Sequence, residues 1–116
     1  MLSKQEFEKT VEELKESKPF LFSIKEDGTL ETNLFVLQEV LKQHNFQIDY
    51  KYHWEDDAYC IQLKLLKEGK QVFETSLCRE NVPKNISFEE LTSLEVSLLE
   101  EALTKTFKDF FKIDVR

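Results

Sequence analysis

The fold is decided between residues 46 and 79, FQIDYKYHWEDDAYCIQLKLLKEGKQVFETSLCR. From Gln47 to Trp54 the residues alternate, with Ile48, Tyr50, Tyr52 and Trp54 on one side. Successive side chains of a strand point to opposite faces, so this pattern describes a half-buried strand. Tyr59, Ile61, Leu63 and Leu65 repeat it in the next segment. A turn at Glu55-Asp56-Asp57-Ala58 sets Trp54 opposite Tyr59, Tyr52 opposite Ile61, Tyr50 opposite Leu63 and Ile48 opposite Leu65. A slip of one residue would turn one apolar row to the wrong face, so the register is well specified. A second hairpin turns at Lys67-Glu68-Gly69. As a three-residue loop with Gly69 left-handed it pairs Leu63 with Phe73 and Tyr59 with Leu77, whereas a two-residue loop sets Leu63 opposite Glu74. The expected product is a three-stranded antiparallel meander. Its wet face carries Asp49, Lys51, His53, Gln62, Lys64 and Glu74.

Working outward, Thr32 or Asn33 caps a helix over Leu34 to His44 with a broad apolar face, and Asn45 suits a left-handed cap. Toward the N-terminus, Ser3 and Glu6 have capping-box spacing, and Phe7, Val11 and Leu14 form a narrow stripe. Lys18 precedes Pro19 and ends that helix. Phe20 to Ile24 then reads as a short strand that stops at the turn Lys25-Glu26-Asp27-Gly28. Toward the C-terminus, Ser87 and Glu90 start a helix expected to reach about Lys112, roughly 39 Å at ~1.5 Å per residue. Early Glu89, Glu90 and Glu95 and late Lys105, Lys108 and Lys112 match its macrodipole. The reading is one α+β domain over residues 1–116, in the order α-β-α-β-β-β-α.

With 41% apolar residues, including ten Phe, the chain can build one core, and 116 residues are too few for two domains. The net charge of −7 opposes long-range attraction to nucleic acid and to anionic membranes. No basic patch offsets it in the middle of the chain, where residues 25–57 hold three lysines against eight acids. Two cysteines are too few for a disulfide-stapled secreted scaffold, and no apolar run approaches the length of a membrane span. With no signal peptide visible at Met1-Leu2-Ser3-Lys4, a cytoplasmic protein is expected.

Candidate chemistry is sparse. Asp56-Asp57 fits turn formation, and Glu100 and Glu101 point apart on a helix. His44, His53, Cys60 and Cys78 lack the close ligand spacing of zinc sites, and in the register above Cys78 lies diagonally from Cys60. No phosphate loop or nucleophile motif occurs. Expected catalytic, cofactor and metal residues are therefore none. Two surfaces are candidates instead. Leu99, Leu103, Phe107 and Phe111 exceed one helical stripe and suggest a protein partner or a homodimer. Tyr50, Tyr52, Trp54 and Tyr59 form an aromatic row that core packing explains or, alternatively, that stacks single-stranded nucleic acid.

The order from Thr32 onward (helix, three antiparallel strands, helix) resembles the double-stranded RNA-binding domain, with Leu37-Gln38-Glu39 preceding Tyr50 as that family's first helix precedes a Tyr-bearing strand. The likeness covers residues 32–111. Where that family opens its last helix with phosphate-gripping lysines, this chain has Phe88-Glu89-Glu90 and Glu95. The resemblance thus implies a degenerate, dimerising or protein-binding module. The leading expectation is a small, acidic, non-enzymatic interaction protein: an adaptor, chaperone or inhibitor.

Overall fold

The computed structural model describes residues 1–115. Helix α1 (Lys4–Ser17) leads into a 3-10 turn (Pro19–Leu21), and a two-stranded sheet follows, formed by β1 (Ser23–Ile24) and β2 (Leu30–Glu31). Helix α2 (Leu34–Gln43), strands β3 (Phe46–Glu55), β4 (Ala58–Lys67) and β5 (Lys70–Arg79), and helix α3 (Phe88–Thr106) complete the order. A π-helical turn (Phe107–Phe111) extends α3. The fold class is the expected α+β, with a β3-β4-β5 antiparallel sheet.

Local chemistry accounts for the boundaries. Ser3 and Glu6 exchange both hydrogen bonds of a capping box, each 3.1 Å. The Asn33 side chain accepts from the amides of Phe35 and Val36, so Asn33 rather than Thr32 caps α2. Asn45 takes the expected left-handed conformation. Pro19 forces Phe20 and Leu21 into the 3-10 turn instead of the expected strand, which shrinks to Ser23–Ile24 and pairs with β2. Helix α3 is shorter than expected. It gives way to the π turn at Phe107, and Lys112 closes it in the left-handed conformation.

The β3–β4 register is the one read from the alternation: Trp54 faces Tyr59, Tyr52 faces Ile61, Tyr50 faces Leu63 and Ile48 faces Leu65. The β4–β5 register differs. The turn has two residues, Glu68 and Gly69, both at positive φ, and a bulge follows at Val72 between the Leu66–Gln71 and Leu65–Phe73 pairs. One extra residue on β5 restores the inward face that a plain two-residue turn would have reversed. Leu63 therefore lies opposite Thr75, Ile61 opposite Leu77 and Cys60 opposite Cys78.

Ile61, Leu63 and Leu65 are fully buried and join Leu98, Ala102 and Leu103 of α3 in one core with Phe7, Val11, Leu14, Leu37 and Leu41. Central strand β4 is dry along its inward side, whereas edge strand β3 is covered only in part. Leu63→Ala is expected to cost roughly 2–5 kcal/mol, the range for emptying a buried leucine site. Tyr50 keeps 42% of its surface in water, so Tyr50→Ala is expected to cost about 1 kcal/mol or less. Urea melts of the two variants check this, and equal losses would contradict the partial covering of β3.

Candidate functional site

The helix residues proposed as a partner surface are used inside the chain. Leu99, Leu103, Phe107 and Phe111 are all buried. Helix α1 does part of the covering, with the Phe7 ring packed edge-on to Phe107 at 5.3 Å, and Phe46 packs against Phe111 at 5.0 Å. Apolar width on α3 meant two covering elements rather than a second copy of the chain. These four residues offer no free face for a homodimer.

The aromatic row has a different fate. On β3, Tyr50 is exposed and Ile48, Tyr52 and Trp54 are half-buried, while Tyr59 on β4 is buried. The rings form a ladder: Tyr50 meets Tyr52 edge-on at 5.9 Å, Tyr52 stacks on Tyr59 at 5.8 Å, and Trp54 meets Tyr59 at 4.9 Å. Helix α3 clamps the ladder from behind through one residue. Tyr52 donates to the Glu95 backbone carbonyl at 2.7 Å and Tyr59 to the Glu95 carboxylate at 2.6 Å. Lys84 Nζ lies 4.5 Å from the Trp54 ring centroid, a cation–π contact at the outer end of the strip. Burial pushes the Tyr52 and Tyr59 phenols up to about 12, the negative Glu95 adds to both shifts, and its hydrogen bond holds the Tyr59 proton further.

At its other end the strip runs from Ile48 into a 540 Å³ hollow that Leu21, Phe35, Leu41 and Phe46 also line. Phe35 is 58% exposed, and Phe20 and Ile24 are more so. These residues were absent from the sequence candidates. The signal was present: α2 carries apolar residues on more than one side, and Phe35 projects from the side opposite its buried neighbours Leu34, Val36 and Leu37.

The other face of the sheet brings His53, Cys60 and Cys78 into one row across three strands. Cys60 and Cys78 form a disulfide, with Cα atoms 4.0 Å apart. The diagonal placement expected of Cys78 is thus corrected, because the bulge at Val72 moves β5 by two residues relative to the three-residue loop. His44 lies far from this row in the fold, hydrogen-bonded to Thr10 at 2.8 Å. Of the acidic pairs, Asp56 and Asp57 form the turn between β3 and β4, and Glu101 pairs with Arg79 at 2.6 Å.

Comparisons of the chain with known protein families, with curated proteins and with solved structures return no match.

The two raised phenols set a pH dependence. Each binds its proton more tightly folded than unfolded, where the ordinary value is 10.0. Their contribution to stability is therefore complete below pH 10 and is lost as the pH climbs to about 12. Alkaline titration followed by tyrosinate absorbance and circular dichroism should show both phenols ionising together with loss of the fold. Tyr52→Phe with Tyr59→Phe should flatten that loss, and ionisation of all three tyrosines near 10 in a folded chain would contradict it.

Proposed function

We propose that this chain is a non-enzymatic interaction protein that binds a protein partner along the strip from Phe35 and Leu21 through Ile48 and Tyr50 to Trp54. The observation that carries the reading is a continuous run of half-covered apolar and aromatic side chains on an edge strand. Contiguous exposed apolar surface marks interaction sites, and amphipathic aromatics such as Tyr and Trp supply large contact area at little entropic cost. An edge strand also presents unpaired backbone groups that an extended segment of a partner can meet. The net charge of −7 makes a basic partner the complementary one.

A second reading, single-stranded nucleic acid on the same ladder, is favoured by the exposed Tyr50 ring and by Lys84 beside Trp54. Against it, the acid Glu95 backs the ladder and the chain is acidic overall. Stacking platforms work alongside a positive groove that tracks the phosphates.

Trp54 is the sole tryptophan and reports directly on the strip. A partner retained by the folded protein from its native extract should be lost at least about tenfold with Phe35→Glu and with Tyr50→Glu, as expected of central contact residues. Retention by both variants would sink the assignment of this surface. A single-stranded oligonucleotide that quenches Trp54 emission, with an affinity falling steeply as salt rises, would replace the protein partner by nucleic acid.

A further inference from the structure

The face of the sheet turned away from the helices carries a set of side chains that the docking strip does not use. His53 on β3, Cys60 on β4 and Cys78 on β5 occupy one level, because His53 pairs with Cys60 and Cys60 with Cys78. Glu55 lies two residues along β3 on the same side. The ligand atoms of His53, Glu55 and Cys60 all lie within 4.8 Å of one another. His53 Nε2 is 3.3 Å from Glu55 Oε1, and Cys60 Sγ is 3.9 Å from Glu55 Oε2. Since Cys60 is bridged, that last approach is a contact without a proton to share. The second sulfur, from Cys78, is bonded to the first. Together the four residues line a shallow 410 Å³ depression rimmed by Lys51, Gln62 and Ser76.

Zinc takes sulfur at ~2.3 Å and nitrogen or oxygen at ~2.0–2.2 Å in a tetrahedron, which sets neighbouring ligand atoms about 3–4 Å apart. The carboxylate already meets that spacing with the imidazole and with the Cys60 sulfur, and all three ligand atoms lie within 4.8 Å of one another. The Cys78 sulfur is bonded to the first and stands outside the group whose ligand atoms are all within 4.8 Å of one another, so it must turn toward His53 and Glu55 once the bond is broken. We propose that His53, Glu55, Cys60 and Cys78 form a zinc site that exists only when the Cys60–Cys78 bridge is reduced. A cellular dithiol supplies the two electrons and two protons: the S–S bond breaks, two thiols form, and the dithiol closes to its own disulfide. Zinc then displaces the two thiol protons and binds two thiolates, a neutral imidazole and a carboxylate. The set carries −3 against +2, and Lys51 at the rim offsets the excess. Oxidation reverses the sequence and expels the metal. Three of the ligands, His53, Glu55 and Cys60, are already held together on paired strands, and the spacing rule misses the site because strand pairing, rather than a short loop, brings the ligands together.

This site lies on the face of β3 opposite the aromatic strip, so its failure leaves the proposed function intact and the converse also holds. Cobalt(II) is the spectroscopic probe. The full chain is reduced with a phosphine, which takes oxygen from water to become the phosphine oxide while the sulfurs take up the protons. One equivalent of cobalt should then give thiolate-to-cobalt charge-transfer absorption and the visible bands of a tetrahedral ion, both discharged by one equivalent of zinc. The oxidised chain should give neither. Cys78→Ser and His53→Ala, on exposed and half-exposed positions, should each weaken cobalt binding beyond the roughly 10–100-fold that loss of an outer-shell partner costs. Zinc should also raise the unfolding midpoint of the reduced wild type and not that of His53→Ala. Should the reduced chain prove unfolded, zinc should refold it. Absence of a thiolate band, binding unchanged in Cys78→Ser, equal binding by the oxidised chain, or no effect of zinc on reduced-state folding would each overturn the proposal.

Discussion

The structure depends on the inward side of β4. Ile61, Leu63 and Leu65 have no surface in water, and both neighbouring strands and α3 are placed by the need to keep them so. At about 25 cal/mol per Å² of apolar area removed from water, a row of large aliphatic side chains outweighs any single hydrogen bond in the sheet. Hence β5 accepts a bulge and a left-handed Glu68 rather than turn Phe73 and Leu77 outward. The backbone yields and the apolar row does not.

The same constraint explains what could be read in advance. Pairing of β3 with β4 was legible because eight inward residues agree on one register and a slip of one residue contradicts all of them. Pairing of β4 with β5 was not, because a three-residue loop and a two-residue turn with a bulge bury the same face. Nothing at Val72 marks the extra residue. The error was two positions, small for the core but decisive for the other face, since it separates Cys78 from Cys60 or joins them. Helical periodicity was equally one-sided in what it told. It showed that Leu99, Leu103, Phe107 and Phe111 must be covered, and a pattern within one helix carries no information about what covers them. Phe7 of α1 answers that for Phe107. The aromatic strip was visible as residues, and only the lateral position of α3 over the sheet decides which of its rings stay wet.

Sheet and helix thereby give the chain two chemically distinct faces. One is apolar and aromatic at its margin, where α3 stops short of covering β3. The other is polar, with Asp49, Lys51 and Glu74 in water and Gln62 donating to Glu74 across the strands. Adjacent residues of β3 serve opposite faces, so Tyr52 and His53, joined by one peptide bond, belong to separate surfaces.

Partial covering of β3 has a further physical consequence. A strip of rings on a mobile edge would lose side-chain freedom on meeting any partner, at about 0.5–1.5 kcal/mol for each immobilised rotamer-rich side chain. Here Glu95 holds two of the rings before any encounter, taking the hydroxyl of Tyr52 on its carbonyl and that of Tyr59 on its carboxylate. Trp54 is held between Tyr59 and Lys84. Because these contacts come from α3 and from the segment before it, the helix that closes the core also orders the exposed row. Tyr50, which has no such anchor and touches only Tyr52 among the rings, is the adaptable member. A rigid row with one free ring at its end is the surface that the proposed partner would meet, with little left to order.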